Sequence, residues 1–101
     1  MGEHDNLSDD QYIWFAIYSL EKYIEWMDQE KDQKDIELVN NIIERIQVLD
    51  DWEDVKTDRI ACTYIYDALE LRRTTNDFSD LNLSIRAHHL SMMGYLNRWL
   101  K

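Results

Sequence analysis

Residues 8–29 read SDDQYIWFAIYSLEKYIEWMDQ, and the spacing of their apolar side chains decides the fold class. Ile13, Ile17, Leu20, Ile24 and Met27 recur at three- and four-residue intervals, which is one stripe of a helix. Tyr12, Phe15, Tyr23 and Trp26 form a second stripe beside it, and Trp14 with Tyr18 widens the apolar face further. A face that wide needs more than one neighbour to cover it. At the front of the run, Ser8 and Gln11 have the spacing of a capping box, each side chain satisfying a free N–H of the first turn. The pattern predicts a helix from about Asp9 to Gln29.

The same periodicity continues outward. Glu30 to Lys34 is a charged turn, followed by a second helix over about Asp35 to Leu49 with Val39, Ile42, Ile43, Ile46 and Leu49 on one face. Asp50 to Asp54 marks the next turn, and a third helix runs to about Arg73 with Cys62, Ile65, Tyr66 and Leu69 inward. Thr74 to Ser79 is a polar connector, and Asp80 or Ser84 is placed to cap a fourth helix carrying Ile85, Met92, Leu96, Trp99 and Leu100. Apolar and polar residues alternate from Phe78 to Ile85, which suits a short extended piece too brief to pair into a sheet alone. Proline is absent and the only glycines are Gly2 and Gly94, far fewer turn residues than a sheet protein uses. The expectation is all-α: a small three- or four-helix antiparallel bundle over residues 8–101, behind a flexible polar leader at 1–7.

At 101 residues and 45% hydrophobic content the chain has the size of one domain. It is expected to bury roughly 65% of its unfolded surface. Cys62 is the only cysteine, so no intrachain disulfide can form and a reducing, cytoplasmic setting is expected. The longest apolar stretch, Tyr12 to Tyr18, is too short to cross a bilayer. The first residues lack the layout of a signal peptide, and Asn6 stands where a myristoylation motif needs Ser or Thr.

Charge narrows the function classes. Twenty-one acids against eleven bases give a net charge of −10 and a pI near 4.5. Direct binding to nucleic acid or to an anionic membrane is disfavoured, and a basic protein partner is favoured. The acids are concentrated at the front: residues 1–58 hold 17 acids and 5 bases, residues 59–101 hold 4 and 6. Some of this complements helix dipoles, with Asp35, Glu37, Asp51, Glu53 and Asp54 near helix starts and Arg72, Arg73, Arg98 and Lys101 near helix ends.

The first helix departs from that rule. Glu21, Glu25 and Asp28 follow i, i+4, i+7 spacing towards a C-terminus, and Asp32 extends the row if the helix continues. Successive carboxylates would stand about 5–6 Å apart, comparable with the charge spacing of a phosphate strand. Such a row suits a basic groove made for nucleic acid, although Lys22 and Lys31 soften it and a merely solvated face has the same composition. Trp14, Tyr18, Trp26 and Trp52 cannot all point inward, and aromatic rings beside carboxylates make interface anchors. The expected partner-binding set is Glu21, Glu25, Trp26, Asp28 and Asp32.

Catalytic signals are weak. There is no glycine-rich phosphate loop and no His-Glu-x-x-His pair. His88 and His89 are adjacent, about 100° apart on a helix, with one expected inward and the other solvated. Arg86, His89 and Tyr95 have no spacing that demands a shared cleft, and Cys62 among Ile60, Ala61 and Ile65 reads as a buried small hydrophobe. Gly2-Glu3-His4 would suit Cu(II) or Ni(II) after loss of Met1, an incidental match. No cofactor, no metal and no enzymatic activity are expected. The leading expectation is a non-catalytic acidic binding module, an inhibitor occupying a basic site on a nucleic-acid-handling enzyme or another basic protein. The alternative is a structural or regulatory helical homo-oligomer, a homodimer in its simplest form.

Overall fold

A computed structural model describes residues 8–76 and 78–101, so the expected leader at 1–7, with Gly2-Glu3-His4, lies outside the described residues. Helix α1 (Asp9–Trp26) starts where its cap dictates. The Gln11 N–H donates to Ser8 Oγ at 3.3 Å, and the Ser8 N–H donates to Gln11 Oε1 at 2.9 Å. The helix stops at Trp26 rather than Gln29, with Met27 extended (φ −80°, ψ 153°). Asp28 explains the early stop. Its Oδ1 accepts the N–H groups of Glu30 (2.8 Å) and Lys31 (3.0 Å), and Asp32 Oδ2 accepts the Asp28 N–H at 2.9 Å. Short acidic side chains offer the backbone an alternative to the helical ladder, and here the alternative wins.

Helix α2 (Gln33–Ile46) returns alongside α1, burying Val39, Ile42 and Ile46, with Ile43 and Leu49 packed against the core margin. The segment expected as one turn and one long helix is divided differently. Asp51 accepts the Glu53 N–H at 2.9 Å and starts a five-residue helix, α3 (Trp52–Lys56), which sinks Trp52 and Val55 into the core. Asp58 then accepts the Ala61 N–H at 3.0 Å and caps α4 (Arg59–Thr75). Asp51, read as a dipole partner, and Asp58 are therefore caps, and they break the chain between helices.

Asn76 closes α4 in the left-handed conformation (φ 55°), a position that asparagine tolerates. Residues 78–81 form a turn closed by the Leu81 N–H on the Phe78 carbonyl at 3.0 Å, not an extended piece. The alternation there reflects anchoring, since Leu81 is buried and Phe78 packs on the core. Asn82 caps α5 (Leu83–Leu100), accepting the Ile85 N–H at 2.9 Å, in place of Asp80 or Ser84.

The four long helices alternate in direction, as the expected antiparallel bundle requires, and α3 is a short plug at one end. Trp26 at the end of α1 meets Arg72 near the end of α4, so these two run the same way. Tyr12 meets Tyr95 while Phe15 meets His88, so α5 runs against α1. The core between them holds Phe15, Leu20, Ile42, Ile46, Ile65, Leu69, Met92 and Leu96. All elements among the described residues are helical.

Candidate interaction surface on the first helix

Helix α1 has one flank that its neighbours cover only in part. Trp14, Tyr18, Glu21 and Glu25 follow i, i+4, i+7, i+11 spacing and so share a row. Trp14 is 50% exposed, and its ring stacks parallel on Tyr18 with centroids 5.4 Å apart. Tyr18 is fixed in turn, because its hydroxyl donates a short hydrogen bond to Asp80 Oδ2. Burial and the Asp80 carboxylate push the Tyr18 phenol up to about 12, so it stays a neutral donor at any physiological pH. Glu21 and Glu25 continue the row as exposed carboxylates, with Glu25 in contact with Lys22 at 3.5 Å.

The five residues expected as the binding set do not form one stripe. Glu21 and Glu25 stand on the α1 flank as expected. Asp28 and Asp32 lie in the turn beyond the helix end, so the i, i+7 relation of Asp28 to Glu21 is lost with the helix that would have carried it. The two backbone N–H groups on Asp28 hold its carboxyl below the usual range, and Asp32 occupies the N-cap position of α2, where negative charge suits the dipole. These acids are thereby accounted for locally.

Trp26 is half-buried, with the Arg72 guanidinium 5.2 Å from its ring centroid. Arg72, expected as a cation at a helix end, is only 1% exposed. It grips Asp80 through Nη1 to Oδ1 at 2.6 Å and Nη2 to Oδ2 at 3.1 Å, and this pairing holds the Asp80 carboxyl down at about 2. The aromatic that the flank presents is thus Trp14. Its place in the row, seven residues before Glu21 and four before Tyr18, was legible in the sequence; which tryptophan is covered was not.

The residues weighed for chemistry are dispersed. Cys62 is buried, its Sγ within 3.7 Å of the Val55 and Lys56 carbonyls, and burial pushes the thiol up to about 11, away from nucleophilic use. His89 is fully buried and donates from Nε2 to the Leu69 carbonyl at 2.9 Å, while burial lowers its pKa. Its ring meets Phe78 edge-on at 5.2 Å. His88 is half-buried against Phe15 rather than solvated. Among the described residues no three of His, Cys, Asp and Glu are grouped to hold a metal ion. An open hollow of about 310 Å³ on α2 is lined by Lys34, Glu37, Leu38 and Asn41, one face of a single helix. No helix among the described residues is long and apolar enough to cross a membrane. Comparison with protein-family models, with curated proteins and with solved structures gives no match to this chain.

Proposed function

We propose that this chain is a non-catalytic binding module, a cytoplasmic inhibitor whose acidic first helix occupies a basic, nucleic-acid-binding site on another protein. The observation that carries the reading is the α1 row itself: a half-exposed Trp14 stacked on Tyr18, running into the solvent-facing carboxylates of Glu21 and Glu25. A rigid aromatic supplies contact area at little entropic cost, and carboxylates one helical turn apart steer a cationic groove onto it. Glu25 lies in the last turn of α1, where its own helix dipole disfavours it and only the exposed contact with Lys22 offsets this. The wider charge agrees, since residues 1–58 carry a net −12.

The test is capture from host lysate on the immobilised chain, beside a Glu21→Lys/Glu25→Lys variant and Trp14→Ala. The expected captive is a protein with a basic nucleic-acid site, displaced by added DNA or RNA. Charge reversal is expected to slow association at low salt and flatten its salt dependence. Trp14→Ala is expected to cost about 2 kcal/mol or more of binding, with melting nearly unchanged because half of the ring is already in water. Capture that survives charge reversal at low salt, or that nucleic acid fails to compete, sinks the reading.

A further inference from the structure

We propose that a second copy of this chain docks on the outer face of α5, forming an antiparallel α5–α5 homodimer. The face is independent of the α1 row. Leu83, Ala87, Leu90 and Gly94 follow one another at intervals of four, three and four, a single row on the side of α5 away from Met92 and Leu96. Leu83 is 81% exposed and Leu90 68% exposed.

Three features say what covers this row. The first is its alternation of large and small. Reversal of the helix about the midpoint between Ala87 and Leu90 sets Leu83 against Gly94 of the second copy and Leu90 against Ala87 of the second copy. Each isobutyl group then enters the slot beside a small residue, the self-complementarity that a two-fold interface needs. The second is Gly94, the only glycine among the described residues, which sits mid-helix without a positive φ. A Cβ there would meet nothing closer than Arg98 Nη1 at 3.6 Å, an ordinary contact. Glycine weakens a helix, and within one copy nothing requires it. Between two copies it is the slot for a leucine.

The third is charge. Two copies at −10 each repel over most of their surfaces, yet the eighteen residues of α5 include Arg86 and Arg98 and no Asp or Glu. The antiparallel register also opposes the two helix dipoles. Among the described residues no other long helix is free of carboxylates.

Sedimentation equilibrium tests this, run over roughly 1 µM to 1 mM, the range suited to a small helix-pair interface. The expected mass rises from the 12.3 kDa of one chain towards twice that value. Leu83→Glu/Leu90→Glu is expected to remain at 12.3 kDa throughout, with the melting temperature of the dilute, monomeric wild type, since both side chains face solvent in a single copy. Gly94→Leu separates fold from docking: it is expected to raise the melting temperature, by improving the helix, while weakening the dimer by about tenfold or more, by filling the slot. A wild-type chain that stays monomeric across the range overturns the proposal. So does a dimer that withstands both variants, or one that Trp14→Ala dissolves and the α5 variants do not.

Discussion

Arg72 is the largest fully buried side chain among the described residues, and Asp80 and Trp26 meet its guanidinium from two sides. The carboxylate takes two of its N–H groups and the ring covers the guanidinium. A buried cation with its partner removed is among the costlier defects a small domain can carry. Asp80→Asn is therefore expected to destabilise the fold by about 3 kcal/mol or more, measured by urea unfolding. Adding Arg72→Met to that variant is expected to recover much of the loss, because the stranded charge goes with it. A change below about 1 kcal/mol for Asp80→Asn would mean that solvent satisfies Arg72 and the pair is incidental. The same carboxylate also receives the Tyr18 hydroxyl, so Asp80 links the 78–81 turn to α1 and α4 together.

At the scale of elements, α1, α3, α4 and α5 begin where a short polar side chain takes over a backbone hydrogen bond. Ser8, Asp51, Asp58 and Asn82 each accept an N–H of a first turn, and Asp28 diverts two N–H groups into the turn after α1. Between the caps, rotational phase decides which residues are buried, and α2 gives the cleanest case. Val39, Ile42 and Ile46 are enclosed while Leu38 on the same helix is 47% exposed, and Val48, in the turn just beyond the helix end, is 74% exposed. Ile46→Ala is expected to cost about 2–5 kcal/mol, and Val48→Ala to stay within about 0.5 kcal/mol. Equal costs in denaturant titrations would show that α2 turns a different face to the core. The periodicity made this phase legible, since Val39, Ile42 and Ile46 were already on one face of the sequence pattern. The exact stop of α1 was less legible, because Asp28 fits the helical row and the competing turn equally well until its carboxylate is seen accepting two N–H groups.

For the molecule as a whole, titration behaviour follows from where charge is buried. Asp80 has a folded pKa of about 2, below the ordinary value near 3.9, so its contribution is complete above about pH 4 and is lost as pH falls towards 2. Burial lowers His89 below its ordinary value near 6.5, so the unfolded chain takes up that proton first and acidification below about pH 6.5 destabilises the fold. Tyr18 has the opposite sense: its contribution is complete below about pH 10 and is lost as pH rises towards 12. Protonation of the surface carboxylates relieves repulsion in a chain of −10 and opposes the acid loss. Comparison with His89→Gln isolates the histidine: between pH 6.5 and 5 the wild type is expected to lose stability relative to the variant, and parallel curves would refute the assignment.

By itself the sequence determined that the chain is helical, that Ser8 and Gln11 open the first helix, that Cys62 is buried and that Glu21 and Glu25 face water. These follow from periodicity and capping, which act within a few residues of the chain. Only the tertiary structure decided between Trp14 and Trp26. Both sit at the edge of the apolar face of α1, and neither its size nor its neighbours in sequence say which is covered. Trp26 is covered because α4 brings Arg72 to its ring, while Trp14 stays half in water, stacked on Tyr18. Burial of Arg72 is likewise a long-range outcome, since its partner lies eight residues on, across the connector, and its aromatic cover belongs to another helix. Local patterns fix which face of a helix is apolar; contacts between helices fix which margin of that face remains exposed.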